Sequence, residues 1–292
     1  MNSILVVGLA TVDLIYYLEK LPNKGIKYVS KKQIMSTGGN ASNASIAISR
    51  LGGSVTFVSK IGNDFFGNYI LTELKSENIN TDHMIVKKDI NTSNSCVTID
   101  NQGERQIVNF RSKKIDFKDN HFITTNKFNA YLTDGRLENA TILILKEAKK
   151  HNKPGILDAE NPVSKKAVKI ASHVAFSLQG LESFTNTSSI EKSLKIVKNF
   201  SNNFCCVTDG KNGVFFLDNN ELVQVKPPKI SAVDTLAAGD VWHGAFTLAI
   251  SLGTSLLNAC KFANLAASKK CENLGGIKGS PYKFENEFIL IK

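Results

Sequence analysis

Residues 233–246 read VDTLAAGDVWHGAF and combine two acids, a run of small residues and the start of an apolar helical pattern. The small residues at 237 to 239 lead directly into that pattern, which runs to about Leu252. We therefore expect them at a helix N-terminus, where free N–H groups and the helix dipole bind anions. Their small side chains let a phosphate approach the backbone. The stretch predicts a phosphate-binding turn followed at once by the carboxylate of Asp240.

This stretch has two interpretations when it is read alone. In the first, Asp240 accepts a proton beside a bound phosphate, because phosphoryl transfer needs only modest help from a base when geometry and charge are well arranged. In the second, Asp240 is only a favourable acid at a helix start, and the residues before it form only a tight turn. The rest of the chain has to separate the two.

The composition is that of a folded globular protein. Hydrophobic residues make up 42% of the 292 residues, charged residues make up 21%, and the net charge is +10. The lysines are scattered, which is typical of solvated faces and argues against a nucleic-acid-binding surface. A nucleotide substrate explains the positive sign of the net charge. Five cysteines without a CxxC pair indicate a reducing compartment. No apolar run has the length of a membrane span or a signal peptide, so we predict no membrane contact and a cytoplasmic location.

Short apolar runs alternate with amphipathic helical patterns along most of the chain. Such alternation is typical of a mostly parallel β-sheet that is covered by helices on both faces, which is an α/β fold. The runs that predict buried strands are residues 4–8, 55–59, 130–133, 155–158, 174–177 and 204–208. The patterns that predict crossover helices are residues 44–51, 69–76, 137–150 and 190–200.

Two segments, residues 14–35 and 93–110, interrupt this alternation with β-branched stretches close to turn residues. The second segment predicts a hairpin with strands at 95–100 and 105–110, which could project from the main sheet and act as a lid. A further hairpin is predicted at 213–225, because Asp and Asn at 218–220 tolerate the backbone angles of a turn. No internal repeat or linker divides the chain, so residues 1–292 are predicted to form a single domain.

At residues 234–240 the sequence DTLAAGD resembles the DTxGAGD signature of the ribokinase/PfkB carbohydrate kinases. GGNASNA at 38–44, RLG at 50–52 and KIGNDFFG at 60–67 resemble the sugar-binding GGNxxN element of that family and its continuation. The resemblance extends from Val7 to Pro281. It implies a ribokinase-like three-layer sandwich with a small β-sheet lid formed by residues 14–35 and 93–110, ATP with Mg²⁺ as the phosphate donor, and a sugar hydroxyl as the acceptor.

Details of the resemblance point to one branch of the family. Gly135-Arg136 and Lys269-Lys270-Cys271 with Gly275 are most similar to ketohexokinase-like members, and a related branch that acts on sulfofructose is not separated from them. The expected acceptor is therefore a ketose such as fructose or a fructose derivative. The exposed lid edges of such a fold often pair between subunits, which predicts a homodimer.

The resemblance also assigns roles to individual residues. On the sugar side, Asp13, Asn40 and Asn43 would bind hydroxyl groups, Gly38 and Gly39 would let the backbone approach, and Arg105 on the lid would face the substrate, with Arg111 adding charge for an anionic sugar. Asp240 would be the base, and the amides of Ala237, Ala238 and Gly239 would hold the phosphate. The residues expected to bind the nucleotide are Thr208, Gly210, Gly213, Thr235, Asn264 and Gly275. Without the motif, each polar residue would be interpreted as a loop cap or a surface group.

Two metal roles follow in the same way. Glu182 would orient a water on Mg²⁺, with Gln179 standing where the family has Asn. Asp234 would either support a monovalent cation such as K⁺ or brace the motif. Ala237 replaces the first glycine of GAGD, which is compatible with a backbone anion site if its backbone angles are ordinary. Trp242 and His243 are expected to pack behind the site.

Other functions remain open on the sequence alone. The same fold could phosphorylate a nucleoside or another small alcohol, and the changes at Ala237 and Gln179 could mark a non-catalytic regulator that binds nucleotide or sugar. A GxxxxGK[ST] loop is absent, which excludes a P-loop kinase. The first predicted strand is followed by GLAT and not by GxGxxG, which argues against a dinucleotide oxidoreductase.

Overall fold

The structure is a computed structural model that describes residues 2–118 and 128–283. Strands and helices alternate along these residues, as the apolar pattern predicts. The strands are β1 (Ser3–Val7), β2 (Thr11–Tyr17), β3 (Lys32–Gly38), β4 (Ser54–Val58), β5 (Lys60–Gly62), β6 (Ile85–Lys87), β7 (Asn94–Ile99), β8 (Arg105–Phe110), β9 (Ala130–Thr133), β10 (Gly155–Ala159), β11 (His173–Ser177), β12 (Phe204–Thr208), β13 (Val214–Asp218) and β14 (Glu221–Val225). The α-helices are α1 (Asn40–Arg50), α2 (Phe65–Ser76), α3 (Glu138–Lys150), α4 (Lys165–Ile170), α5 (Leu178–Thr185), α6 (Ile190–Ser201), α7 (Ala238–Ser251) and α8 (Leu256–Cys271).

Eight strands form the central sheet in the order β14-β13-β12-β11-β10-β9-β1-β4. The six strands from β12 to β4 are parallel, and β13 and β14 continue the sheet as an antiparallel hairpin. A parallel sheet is stable when both of its faces are covered, and β1 shows this directly. Ile4 and Val6 belong to one core cluster, while Leu5 and Val7 belong to another.

Helices cover the central sheet on both sides and give the molecule three layers. One core cluster joins the sheet to α1, α7 and α8. The clusters on the opposite side join it to α3, α4, α5 and α6. Helix α1 packs closely on α7, since a Cβ atom at Gly244 would lie 2.6 Å from the carbonyl oxygen of Ala44. The lack of a side chain at Gly244 is therefore a packing requirement.

A second sheet of four strands lies outside the main one, in the order β3-β2-β7-β8. Strand β2 pairs antiparallel with β3 and parallel with β7, and β7 forms the predicted hairpin with β8. Every residue of β8 is exposed, and this strand forms one edge of the sheet. The small sheet corresponds to the predicted lid segments, although residues 18–31 of the first segment contain no strand.

The predicted α/β fold is confirmed, and the differences are local. Helix α1 begins at Asn40, four residues before the predicted start, because its first turn consists of small polar residues without apolar periodicity. Strands β5 and β6 were not predicted, since three residues each are too few to show a pattern. Among the described residues, no helix is long and apolar enough to cross a membrane.

Candidate active site

The carboxyl ends of the central strands carry a group of acidic side chains. In parallel sheets this edge is where ligands bind, because several loops and helix N-termini meet there. Asp134 follows β9 and accepts hydrogen bonds from the backbone N–H groups of Leu9 at 2.8 Å and Ala41 at 3.2 Å. Asp158 lies one residue before the end of β10, and Glu160 follows the strand. The acids thus tie the end of β1 and the start of α1 to one edge of the sheet.

Asp240 lies in the first turn of α7 above this edge. The side-chain amide of Asn43, on α1, donates a hydrogen bond of 2.7 Å to its Oδ2 atom. The pKa of Asp240 is raised to about 7, chiefly by burial and also by the charges of Asp158 and Glu160, while the hydrogen bond from Asn43 opposes these effects. A carboxylate with a pKa near neutrality is suited to accepting a proton, as a general base requires.

A polar network lies next to Asp240 at the carboxyl ends of the central strands. The side-chain amide of Asn40 donates to Asp158 Oδ2 at 3.2 Å and to Glu160 Oε2 at 3.1 Å, and Arg136 forms an ion pair with Glu160. Burial raises the pKa of Asp158 well above its usual range, and the neighbouring charges of Glu160 and Asp134 add to the effect. The Asp158 carboxyl group therefore holds its proton more tightly than an isolated acid does.

His243 lies behind Asp240 on α7, as predicted. Its Nε2 atom is 3.4 Å from Asp158 Oδ1, its Nδ1 atom is 2.8 Å from the carbonyl oxygen of Gly239, and the side chain is buried. Trp242 differs from its prediction, because its indole lines a cavity and donates a hydrogen bond of 2.9 Å to Asn264 Oδ1.

The turn before α7 has free backbone donors. Helices α2 and α8 have side-chain caps from Asp64 and Ser255, whereas Ala237, at the N-cap position of α7, provides none. Within the described residues, the N–H groups of Gly239 and Asp240 have no backbone acceptor, so these first-turn donors are available to an anion. The N–H of Ala238 is engaged, since it donates to the carbonyl of Thr235 at 3.3 Å.

For a backbone anion site, the sequence requires ordinary backbone angles at Ala237, but this residue does not have them. Its φ of 65° and ψ of 7° place it in the left-handed region, not in an ordinary conformation. A residue with a Cβ atom is strained there by roughly 1–2 kcal/mol. The turn keeps the shape that the usual glycine would give it, and the alanine is held in that shape by its surroundings.

The first of two cavities contains most of the residues expected to bind a sugar. It has a volume of about 340 Å³ and is lined by the small sheet, by loops that follow central strands, and by α1 and the start of α7. The predicted site residues that line it are Asp13, Gly39, Asn40, Asn43, Arg105, Thr235, Ala237, Ala238, Gly239 and Asp240. Arg111, Arg136 and Glu160 also line it, so the wall carries charges of both signs.

The second cavity, of about 840 Å³, lies on the other side of the turn. It contains five residues expected to bind nucleotide, namely Thr208, Gly210, Gly213, Thr235 and Asn264. The two cavities share four wall residues, which are Arg105, Thr235, Ala238 and Gly239. They therefore meet at the free donors of the α7 start.

Asn264 and Gly213 contribute to the structure of the wall of this second cavity. Asn264 accepts from Trp242 and donates to the carbonyl of Val225 at 2.7 Å, so both ends of its side-chain amide are engaged. A Cβ atom at Gly213 would collide with that same carbonyl, and the φ of 87° also favours glycine. Both residues shape the cavity wall, where the sequence suggests only contacts with the ligand.

Four predicted site residues line neither cavity: Gly38, Glu182, Asp234 and Gly275. Gly38 supports the sugar side indirectly, because a Cβ atom there would collide with the Asp13 carboxylate. Gly275 donates its N–H to Asp234 Oδ2 at 2.9 Å. Glu182 lies partly buried on α5.

Sequence reasoning missed the acids at the end of β10. Asp158 and Glu160 influence Asp240 through space, yet they belong to no motif quoted above. A usable signal was present, because both residues stand at or just after the end of a predicted buried strand, where the carboxyl ends of parallel strands meet. Arg136 was noticed only as part of the branch resemblance.

Comparisons with known proteins agree with this geometry. Two curated relatives are a ribokinase of Bacillus subtilis, 25% identical over 99% of this chain and 100% of the relative, and a ketohexokinase of Mus musculus, 24% identical over 95% and 98%. The ribokinase and the ketohexokinase are thus about equally distant. The relatives support the family, and they do not single out its ketohexokinase-like branch.

Solved structures show the same fold. A structure from Agrobacterium tumefaciens, provisionally described as a ribokinase, superposes with a TM-score of 0.93 at 29% identity, covering 99% of this chain and 97% of that one. An Arabidopsis thaliana ribokinase complexed with ribose and ATP superposes with a TM-score of 0.86 at 22% identity, covering 100% and 99%. The profile of the pfkB family carbohydrate kinases matches residues 1–283. The chain therefore belongs to the pfkB family of carbohydrate kinases and is a sugar kinase, a phosphotransferase with an alcohol group as acceptor.

Proposed function

We propose that the protein transfers the γ-phosphate of ATP to a hydroxyl group of a small sugar bound in the first cavity, while ATP occupies the second. One observation carries this proposal. The two cavities meet at Ala238 and Gly239, and Asp240 lines only the sugar side of that junction. A phosphate at the junction would be in contact with both ligands, as direct transfer requires.

The sugar side offers matched polar groups for hydroxyls. Asp13 lies partly buried in the wall, accepts from the hydroxyl of Thr11 at 3.2 Å, and has a pKa raised by burial. A carboxylate accepts several hydrogen bonds and so suits adjacent hydroxyl groups. Across the cavity, Asn43 holds the Asp240 carboxylate at 2.7 Å. The sugar would lie between these two acids, with one hydroxyl directed at Asp240.

In the proposed reaction, Asp240 removes the proton from that hydroxyl as its oxygen attacks the γ-phosphorus. The N–H groups of Gly239 and Asp240, at the positive end of α7, stabilise the negative charge on the phosphoryl oxygens. This refines the prediction of donors at 237 to 239, because the Ala238 N–H is already engaged. The proton passes to Asp240, the bond between the γ-phosphorus and the ADP oxygen breaks, and ADP leaves.

Mg²⁺ fits this site as an ion carried by the nucleotide. The described residues contain no group of three or more His, Cys, Asp or Glu side chains that could hold a metal ion. Mg²⁺ commonly keeps several waters and binds substrate phosphates with few protein ligands, so a protein cage is not needed. The ion would offset phosphate charge, and Glu182 remains the candidate to hold one of its waters.

The acceptor is proposed to be a small sugar, with fructose and ribose as the leading candidates. The lysine pair and Cys271 favour a ketose by resemblance, and the ribokinases among the relatives and structures favour ribose. Arg111 lines the same cavity, so an anionic fructose derivative belongs in the test. A nucleoside acceptor is the remaining alternative on this fold.

An acceptor panel tests the proposal. ADP formation from ATP and Mg²⁺ is measured with fructose, ribose, an anionic fructose derivative and adenosine. Asp240→Asn should bind ATP normally and lose at least about 100-fold in turnover, because general bases contribute about 10²–10⁴-fold. The matched control Asp218→Asn removes an exposed acid in the β13–β14 turn and should retain full turnover. Near-normal turnover by Asp240→Asn would remove Asp240 from the mechanism, and ATP binding without turnover on any acceptor would favour a regulator.

A further inference from the structure

The side chain of Lys270, near the end of α8, is completely buried beside the phosphate-binding turn. Its ammonium group lies 3.3 Å from the carboxylate of Asp234, 2.7 Å from the carbonyl oxygen of Asp234 and 3.4 Å from the carbonyl oxygen of Asn273. Burial lowers the pKa of Lys270, and the Asp234 carboxylate opposes that effect. A charge so deep in a protein is retained only when it is well paired.

Asp234 connects this buried pair to two backbone segments, one before α7 and one after α8. Its Oδ1 atom accepts from the N–H of Leu236 at 2.8 Å, and its Oδ2 atom accepts from the N–H groups of Gly275 at 2.9 Å and Gly276 at 3.0 Å. With Lys270, four donors surround one carboxylate. The segment that enters α7 and the loop after α8 are thereby held by a single charged centre.

A monovalent metal ion does not fit here. An ion at this place would need the carboxylate of Asp234 and nearby backbone carbonyl oxygens as ligands. Those oxygens already bind the ammonium group of Lys270. Displacing the lysine would leave its charge buried without a partner, which strongly destabilises a folded protein.

We propose that the ammonium group of Lys270 is a built-in monovalent cation, which keeps the phosphate-binding turn in its binding shape and makes the protein independent of K⁺. Lys270 is a positioning residue, because it touches neither cavity and acts through Asp234. The proposal rests on the proposed function only in assuming that the turn binds the phosphates of ATP. Its consequences for ATP affinity need no sugar.

The experiment compares ATP affinity in KCl, NH₄Cl and tetramethylammonium chloride at equal ionic strength, by calorimetry. The wild-type dissociation constant should change by less than about two-fold among the three salts. Lys270→Met removes the charge but keeps an apolar side chain, and it should weaken ATP binding at least about ten-fold in tetramethylammonium, since a buried pair has been broken. K⁺ or NH₄⁺ should restore much of that loss by occupying the vacated place beside Asp234.

Lys261→Met, which removes an exposed lysine of the same helix, is the matched control and should behave as the wild type. If Lys270→Met does not fold, the double variant Asp234→Asn/Lys270→Met leaves no unpaired buried charge. It should bind ATP more weakly than the wild type in every salt and gain nothing from K⁺.

Three results would overturn the proposal. These are a wild-type affinity that rises more than about five-fold with K⁺, an affinity of Lys270→Met in tetramethylammonium equal to that of the wild type, or wild-type affinity in the double variant. The kinase proposal is tested separately, because a protein that binds ATP as described but phosphorylates no acceptor would refute the kinase and leave the role of Lys270 standing.

Discussion

Asp240 carries its charge in surroundings that disfavour it, and this is the most consequential residue-level feature of the site. Desolvation and the acids Asp158 and Glu160 favour its protonated form, while the hydrogen bond from Asn43 and the position at a helix start favour the carboxylate. The result is a pKa of about 7, so near neutral pH the residue can both take up and release a proton.

The pH dependence of kcat/KM should therefore show an acid limb. As pH falls through about 7, Asp240 becomes protonated and can no longer act as a base, so kcat/KM should decrease about ten-fold per pH unit. Asp158→Asn removes a neighbouring negative charge, so this limb should move to lower pH; Asp218→Asn should leave it in place. Steady-state rates from about pH 5 to about pH 9 at constant ionic strength, a range that brackets the pKa of Asp240, measure this limb. An unchanged limb in Asp158→Asn would show that the limb belongs to another group.

Ala237 offers a test of backbone strain. Glycine has no left-handed penalty, so Ala237→Gly should raise the free energy of unfolding by about 0.5–1 kcal/mol after allowing for the greater entropy of the unfolded chain. Ala238→Gly, at the next position but inside the helix, should lower it by about 0.5–1 kcal/mol. Urea denaturation of both variants measures the difference. A destabilised Ala237→Gly protein would mean that the Ala237 methyl group makes packing contacts worth more than the strain.

At the scale of elements, α7 and the small sheet are the parts that matter for function. The start of α7 was predictable, because small residues before an apolar helical pattern carry a local signal. The hairpin of β7 and β8 was predictable for the same reason, since alternation and a turn at 101–104 are both local. Strands β5 and β6 and the short helix α4 were missed, because three to six residues carry too little periodicity.

The small sheet is linked to the phosphate-binding turn by Arg105, which donates from Nη1 to the hydroxyl of Thr235 at 2.9 Å. If the sheet acts as a lid, Arg105→Ala should raise the KM for both sugar and ATP by about 5–150-fold, since one charged hydrogen bond contributes about 1–3 kcal/mol. Gln106→Ala, on the next residue of the same strand and outside both cavities, should leave both values unchanged. Initial rates with each substrate varied in turn give the two KM values. An effect of Arg105→Ala on neither KM would argue against a lid held at this point.

At the scale of the whole molecule, the convergence of distant residues is what the local pattern could not supply. Asp13 on β2, Asn43 on α1 and Asp240 on α7 share a cavity because the fold brings the small sheet and these two helices together, and hydrophobic periodicity does not encode such an arrangement. The family resemblance supplied that arrangement, and it placed most of the site residues in the two cavities. It did not predict that Asp158 raises the pKa of Asp240, or that the ammonium group of Lys270 pairs with the carboxylate of Asp234. Both effects depend on contacts between distant segments.

The outer face and edge of the small sheet predict how whole molecules associate. Val108 is 68% exposed on the edge strand β8 and pairs in register with Cys96, which is also exposed. An unpaired edge strand with apolar side chains tends to pair with another chain, so we expect a homodimer formed through this sheet. Val108→Lys places a charge there and should yield monomers in sedimentation velocity, whereas Val86→Lys, which changes an exposed valine on β6, should remain dimeric. A wild-type protein that sediments as a monomer at tens of micromolar would refute the dimer, and a dimer that survives Val108→Lys would place the interface elsewhere.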